Sequence, residues 1–488
     1  MRIIISNDLI SDNMKAILQH MNIHLHNTLT SKKEEFKALI EGKVGIYNCG
    51  PTVYDTVHIG NLRTFVMYDI LRRVFEYNKY FVTQVMNITD IDDKTIKRSR
   101  EKKISLEKLT RHYETLFLAD LHSMNILTPH KLLRATDHIE EMIKIISVLL
   151  EKGIAYTTKD GMYFSIGKFT KYGELAKLKI DANDTKTLQQ RIQNDEYEKE
   201  NPRDFALWKF KIEEDGDVQY DAPFGKGRPG WSIECSAMAI RALGSTIDIH
   251  TGGTDLIFPH HTNEIAQSEA STDTTFVNYW LHGAFMNVNE DKMSKSKGNF
   301  LKLADITDSG ISPLAFRYWL LTAHYRSQVN FSFDAVKAAQ IAYIKLIETF
   351  IRLGEVEHEH IHAVENPRDY KAEFNEKINN DMDMPGAIAL TWELIKDHSV
   401  EAKVKIVLLL DFDKVFGLGL HAVKDMKNKN ELKDSIPAEV TALAEARNEA
   451  RENKEWDKAD ALRKEIEERG YELKDSGEGF ELKIIKKG

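Results

Sequence analysis

Hydrophobic spacing changes period repeatedly in the first hundred residues. Val44 to Asn48 is a short apolar run, which predicts a buried strand. After a polar turn, Phe65, Tyr68, Leu71 and Val74 recur at helical spacing, and Tyr80 to Ile88 reads as a second strand. Strand, turn, helix and strand make a βαβ unit, whose crossover is expected to be right-handed. The turn, Cys49 to Asn61, closes on Gly60-Asn61 at the helix N-terminus, where free N–H groups and the macrodipole favour phosphate. The second strand ends in Asn87, Thr89, Asp90, Asp92, Asp93 and Lys94. Ligands of open α/β sheets gather at the carboxyl ends of strands, so this cluster is expected to face the same crevice.

From about Ile104 the pattern lengthens into helices. Met142, Ile145, Ile146 and Leu149 mark one face of a helix predicted over His138 to Lys152, with Gly153 as its stop. Lys159-Asp160-Gly161 predicts a tight turn between strands Ala155–Thr158 and Met162–Ser165. Residues 184–202 are polar and charged, so roughly 105–200 reads as an insertion into the nucleotide-binding fold. The fold resumes at Asp204–Phe210, passes a turn at Gly225–Gly230 and reaches Trp231–Cys235. Ile247–Ile249 is a predicted strand, Thr251–Asp255 a glycine-rich loop, and Pro259–Glu269 a helix opened by proline. Trp280–Val288 predicts a further strand, leading into the basic loop Lys292–Asn299. Beyond residue 330, Val336, Tyr343, Ile347 and Phe350 share one helical face, and helices continue to Phe416. Lys424–Lys433 reads as a linker. A terminal module follows, with Trp456, Ala459, Leu462, Arg463 and Ile466 lining a helix and Tyr471–Leu473 and Phe480–Ile484 forming a hairpin.

The chain's 488 residues give a prior of roughly three domains. Its 42% hydrophobic and 29% charged residues exclude disordered and collagen-like classes. A net charge of −9 argues against indiscriminate polyanion binding, although a local basic face still suits nucleic acid. Two cysteines, Cys49 and Cys235, exclude a disulfide framework. No apolar run approaches the ~18 residues of a membrane span, and a cytoplasmic location without a membrane partner is expected.

Candidate chemistry sits at few positions. His260 and Glu264 lie four apart on one predicted helical face and can converge on one ion, though exposed helices carry many such pairs. Adding both cysteines makes a set of thiolates, imidazole and carboxylate that suits Zn2+. His58 and Asn61 fit a phosphate site, against the plainer reading of a helix cap. Lys292 and Lys295 fit a clamp on a polyphosphate, against a solvated loop. Asp90, Asp92 and Asp93 read as caps of the next helix rather than Mg2+ ligands. Asp255 suits a ribose hydroxyl. His358, His360 and His362 read as a solvated linker.

The motifs Cys49-Gly50-Pro51-Thr52-Val53-Tyr54-Asp55, His58-Ile59-Gly60-Asn61 and Asn87-Ile88-Thr89-Asp90-Ile91-Asp92-Asp93-Lys94 stand in order with Gly230-Trp231, Ile233-Glu234-Cys235, Phe258-Pro259-His260-His261 and Lys292 to Ser296. Together they resemble the cysteinyl-tRNA synthetases, class I aminoacyl-tRNA synthetases, over nearly everything after residue 22. The resemblance implies an α/β fold: a Rossmann-type catalytic domain with an α+β insertion, then a helical bundle and a small α+β C-terminal domain. The boundaries it implies are an extension at 1–22, catalytic halves at 23–104 and 201–276 around an insertion at 105–200, a stem-contact region with the lysine loop at 277–333, a bundle at 334–425, and a linker with anticodon-binding domain at 426–488.

By the same resemblance one Zn2+ is held by Cys49, Cys235, His260 and Glu264, which selects between the two adjacent histidines. ATP, with Mg2+, is bound by His58, Gly60, Asn61, Gly253, Asp255, Lys292, Met293, Ser294, Lys295 and Ser296, of which His58, Asn61, Lys292 and Lys295 serve catalysis. Gly50, Thr89 and Trp231 hold the amino acid. The implied activity is cysteine–tRNA ligation by a monomer, with L-cysteine and tRNA(Cys) as the other substrates. Ser232, Thr251, Thr262 and Met382-Asp383-Met384-Pro385 depart from the family's usual residues. A ligase that passes the same adenylate to an amino sugar, and a non-catalytic RNA-binding paralogue, are the rival readings. The terminal module counts against the first, and the retained motifs count against the second.

Overall fold

The computed structural model describes residues 22–178, 204–288, 291–292, 300–354, 368–425, 438–453, 455–469, 471–476 and 479–484. Met293, Ser294, Lys295, Ser296, the histidines at 358, 360 and 362, and most of the lysine-rich linker lie outside the described residues.

The elements that build the crevice are β1 (Lys43–Asn48), α1 (Ile59–Tyr77), β2 (Phe81–Ile88), β3 (Lys131–Arg134), α2 (Trp231–Leu243), β4 (Ile247–Gly253), α3 (Thr262–Thr272), β5 (Val277–Gly283), β6 (Met286–Val288), β7 (Asp291–Lys292) and β8 (Val329–Phe331). The main sheet is parallel throughout, in the order β5-β4-β1-β2-β3. Its strands are near-continuous apolar runs because both faces are covered. Val44 and Ile46 of β1, Met86 of β2 and Leu281 of β5 pack with α1 and the later helices, while Tyr47, Val85 and Trp280 pack with α2, α3 and the insertion. Strand order reverses between β1 and β4, which defines the ligand crevice of such a sheet. There the Cys49 N–H donates to Thr251 O at 3.2 Å.

Ala155–Thr157 and Gly161–Phe164 form a separate antiparallel sheet with Phe205–Phe210 and Gly227–Pro229. The stretch expected to resume the nucleotide-binding fold at Asp204–Phe210 therefore pairs with the insertion's hairpin instead, while Lys131–Arg134, inside the expected insertion, is the edge strand of the parallel sheet. A small sheet ordered β7-β6-β8 follows β5. Helices Phe333–Gly354, Tyr370–Asn379, Met384–Lys396 and Ala402–Phe416 continue the α1-side core. Helices Ala438–Glu452 and Trp456–Glu468 with hairpin Tyr471–Ser476/Gly479–Ile484 enclose their own small core of Val440, Ala444, Ile466, Tyr471 and Leu473.

Several expectations need correction. The stretch predicted as a glycine-rich loop belongs to β4 as far as Gly253, which registers with Gly283 of β5. The predicted strand Trp280–Val288 is two strands, broken at Ala284-Phe285. The helix predicted from Pro259 starts at Thr262, after a π-type turn Ile257–His261 in which Phe258 is extended. A residue preceding proline is steered out of the α region, which accounts for the extended Phe258 just ahead of Pro259. In the terminal helix, Ala459 and Ile466 are buried, but Trp456 is 58% exposed and Arg463 is exposed. Trp456 is the helix's first residue, and side chains tilt toward the N-terminus, which carries it past the packed face.

Candidate active site

Cys49 leaves the carboxyl end of β1. Gly50 follows because a Cβ there would come within 1.7 Å of Asn87 O, so only glycine lets the turn lie against β2. The turn is then stitched to the end of β2. Gly50 N donates to Asn87 Oδ1 at 2.8 Å, Thr89 N to Pro51 O and Val53 N to Thr89 O at 3.1 Å each. Asn87 Nδ2 donates to Thr89 Oγ1 at 3.1 Å, which fixes that hydroxyl. Gly50 and Thr89 thus share one side of the crevice.

Cys235 enters from α2, and His260, His261 and Glu264 from the turn before α3 and its first residues; all are buried, as is Cys49. One ligand atom from each of Cys49, His260, His261 and Glu264 lies within 4.8 Å of the others. Cys49 Sγ is 3.3 Å from His261 Nε2 and 4.0 Å from Glu264 Oε1. Glu264 Oε1 is 3.1 Å from His260 Nε2 and 3.9 Å from His261 Nε2. A tetrahedral zinc with Zn–S of about 2.3 Å and Zn–N of about 2.0 Å places its ligand atoms about 3.3–3.8 Å apart, so this donor set fits zinc. Cys235, expected as a ligand, is buried beside the group, close enough for its thiol to be perturbed by Cys49 and His260, but it is not one of these four.

The electrostatics suit a cation. Burial opposes charge on Glu264, yet the His250 and His260 rings beside it hold its carboxyl down at about 2. Burial would depress His260, but Cys235 and Glu264 raise it to about 10. The Cys49 thiol beside it pulls the Cys235 thiol down to about 6, whereas burial and the neighbouring Cys235 push Cys49 up. Burial and the adjacent His250, His282 and His260 hold His261 neutral, well below the usual histidine range.

Both adjacent histidines are also oriented through their other ring nitrogen, as metal-bound imidazoles commonly are. His260 Nδ1 lies 3.3 Å from Ser232 Oγ, and His261 Nδ1 lies 2.8 Å from His282 Nε2. His250 Nε2 contacts Glu264 Oε2 at 2.9 Å. Ser232 therefore has a partner in the site despite departing from the family pattern. Trp231, 43% exposed, lies over His260 with ring centroids 4.1 Å apart, at the rim of the cluster.

The phosphate candidates occupy one turn of helix. His58 is the N-cap of α1: its Nδ1 accepts from Asn61 N at 3.2 Å, and Asn61 Oδ1 accepts from His58 N at 3.3 Å. This is a capping box. With Nδ1 accepting, the neutral ring carries its proton on Nε2, and Asn61 carries donor hydrogens on Nδ2. The cap reading and the phosphate reading are therefore compatible. Gly253 closes β4 and Asp255 sits, exposed, in the 3-10 turn after it. Lys292 ends β7, its backbone paired with Asn287 of β6.

Asp90, Asp92 and Asp93 are engaged structurally. Asp92 caps the helix Asp93–Lys102 through Thr95 N at 2.7 Å, Asp90 accepts from Thr136 N and Oγ1, and Asp93 pairs with Lys209 and Arg228. Sequence reasoning did not find His250 and His282, which lie on β4 and β5 inside apolar strand patterns, nor a ligand position for His261, adjacent to the chosen His260.

A parallel sheet with this switch point, a helix-capping His-Ile-Gly-Asn turn and a helical region packed on after it are the marks of the class I aminoacyl-tRNA synthetases. Residues 35–341 match the family model for the tRNA synthetases class I (C) catalytic domain, and residues 433–481 match the cysteinyl-tRNA ligase anticodon binding domain. The chain belongs to the cysteine–tRNA ligase family. It is 42% identical to the cysteine–tRNA ligase of Brachyspira hyodysenteriae, over 95% of this chain and 99% of that protein. The enzyme of Protochlamydia amoebophila is 38% identical over 96% and 98%, and that of Caldicellulosiruptor saccharolyticus 40% over 95% and 100%. In fold alone, it resembles Mycobacterium tuberculosis methionyl-tRNA synthetase in complex with methionyl-adenylate, with a TM-score of 0.59 at 13% identity, covering 80% of this chain and 95% of that one. Among the described residues, no helix is long and apolar enough to cross a membrane.

Proposed function

We propose that the chain activates L-cysteine with ATP to cysteinyl adenylate, releasing pyrophosphate, and transfers the cysteinyl group to tRNA(Cys). The observation that carries this reading is the buried thiol, imidazole and carboxylate cluster at the switch point, beside a helix N-terminus suited to phosphate. Cys49, Cys235, Glu264 and an imidazole from His260 would hold one Zn2+, with His261 as the competing nitrogen donor. When bound, zinc supplies a site for the substrate's thiolate, since a thiol ionises near ~8.5 and a serine hydroxyl is a far poorer ligand.

Activation requires no protein nucleophile. The cysteine carboxylate attacks the α-phosphate, the phosphoanhydride bond breaks, and pyrophosphate leaves with its electron pair. Protein side chains position reactants and stabilise charge. Thr89 and the turn at Gly50 orient the amino acid's backbone. His58 Nε2–H and Asn61 Nδ2–H donate to phosphate oxygens, Asp255 receives a ribose hydroxyl, and Lys292 and Lys295 meet the departing pyrophosphate with Mg2+. The terminal module's match to an anticodon-binding domain supports tRNA over an amino sugar as acceptor.

ATP/pyrophosphate exchange with cysteine and serine in parallel, with metal analysis of the same sample, tests this reading. Exchange supported by cysteine and not by serine, in protein carrying one zinc per chain, is expected. Exchange with cysteine in zinc-free protein would overturn the selection mechanism, and no exchange with cysteine would overturn the function.

A further inference from the structure

Arg63 lies two residues beyond Asn61 on α1, where the sequence pattern gives it no function. Its side chain is buried, and its guanidinium has no carboxylate partner among the described residues. Among the described residues it donates only to main-chain carbonyls. Nη1 reaches Ala284 O at 2.9 Å and Phe285 O at 2.7 Å, and Nη2 reaches His324 O at 3.2 Å and Ser327 O. Burial without a counter-ion lowers its pKa to about 10. A charge kept in so costly a position serves something that neutral packing would not.

The four acceptors belong to two segments. Ala284 and Phe285 are the break between β5 and β6, and His324 and Ser327 form the turn that leads into β8. These segments also bond each other, Ala284 N to Tyr325 O at 2.9 Å, before β6 and β8 pair from Met286↔Val329 onward. β6 then pairs with β7, whose last residue is Lys292. One guanidinium therefore ties α1, at the turn that presents His58 and Asn61, to the root of the ribbon that presents Lys292. On the far side of the lysine loop a second tie reaches the same helix end: Ile59 N donates to Leu301 O at 2.9 Å, and the His58 and Phe300 rings meet edge to face at 5.1 Å.

Resting on the functional reading above, we infer that Arg63 is a positioning residue for adenylate formation, holding the strand that carries Lys292 in register with the His58–Asn61 turn. Its planar fork serves four carbonyls at once, which an ammonium cannot do. A misplacement of about 1 Å between catalytic groups costs on the order of 100-fold in rate. Arg63 touches neither thiol nor imidazole of the metal cluster, so amino-acid selection lies outside its reach.

The test is steady-state ATP/pyrophosphate exchange on the full chain with Arg63→Lys, beside Val66→Ala, which lines the same small cavity without making these hydrogen bonds. Arg63→Lys is expected to lower kcat by roughly 10- to 100-fold and to move KM for ATP, leaving KM for cysteine and zinc content within about twofold. Val66→Ala is expected to lower the melting temperature while keeping kcat. If Arg63→Lys does not accumulate as folded protein, Arg63→Gln, which retains an amide donor, carries the same comparison. Unchanged kcat in the Arg63 variant, a loss no larger than that of Val66→Ala at equal melting shift, or a parallel loss of zinc would each overturn the inference. Wild-type protein without cysteine-dependent exchange would overturn the functional reading itself, a result distinct from all three.

Discussion

At the thiol end of the crevice Cys49, Cys235, His260, His261 and Glu264 are buried, and side chains fix other side chains there: His250 on Glu264, His282 on His261, Ser232 on His260. At the phosphate end His58 is half-buried and Asn61 exposed, and both are set by main-chain bonds of one helix turn. On the proposed function, the contrast follows from what each end would have to do. Distinguishing a thiol from a hydroxyl of nearly equal size needs donors whose geometry and charge are settled before the substrate arrives, in a place water does not compete. Holding a phosphate that must change charge and shape needs donors set at a helix N-terminus, and a capping box directs Nδ1 of His58 and Oδ1 of Asn61 to the backbone, leaving N–H groups as the other face of each side chain.

The largest effects are expected where that contrast is removed at the thiol end. Cys235→Ala should weaken zinc binding by well over the roughly 100-fold typical of an outer contact and abolish cysteine-dependent exchange, as read by metal content after dialysis and by exchange. His260→Asn and His261→Asn, made separately, sharpen the assignment. The ligand's variant should lose the metal, and the other should lose about 10- to 100-fold in affinity through its effect on orientation. A Cys235→Ala protein that still preferred cysteine over serine would break the comparison at its root.

At the phosphate end the loss should be in rate alone. His58→Ala is expected to lower kcat for exchange by about 100- to 1,000-fold, the usual cost of one transition-state donor, with zinc content unchanged. Its cap contributes as well, so a stability loss of about 0.5–2 kcal/mol should accompany it. Zinc lost together with activity would show that the two ends are not independently built.

The phosphate end was far more legible in the sequence than the thiol end, and the reason is locality. The His58–Asn61 turn, the strands beside it and the helix stripe of Phe65, Tyr68 and Val74 all lie within one βαβ unit, where period and turn chemistry act over short range. The thiol end draws on β1, α2, β4, α3 and β5, and nothing in a single sequence says that Cys49 and Glu264, distant along the chain, meet at 4.0 Å. Residue chemistry grouped them as a set that suits zinc, but only the motif resemblance implied that they meet, and it chose one histidine where the fold brings two. His250 and His282 stayed hidden for a related reason: in strands buried on both faces, an inward histidine looks like an interruption of the apolar pattern. Arg63 was likewise silent, because its four acceptors are backbone carbonyls and leave no complementary side chain to notice.

The smallest effect tests whether a carboxylate near the crevice must be charged, as Glu264 does, or merely shaped to accept. Asp92 lies in the polar stretch after β2 and accepts from Thr95 N at 2.7 Å, while its own N–H donates to Thr95 Oγ1 at 2.8 Å. That reciprocal pair spends the side chain on capping, and Asn performs the same task because its carbonyl oxygen accepts equally well. Asp92→Ala should therefore cost about 1 kcal/mol, a fall of about 1–3 °C in the transition of the catalytic domain, and Asp92→Asn only a few tenths of that. Neither should alter the Mg2+ dependence of exchange. Were Asp92 instead a Mg2+ ligand, the ranking would turn over: Asp92→Asn would keep its melting temperature and yet demand much more Mg2+ for the same rate, and a carboxylate of the phosphate end would then belong with Glu264 among those whose charge is used.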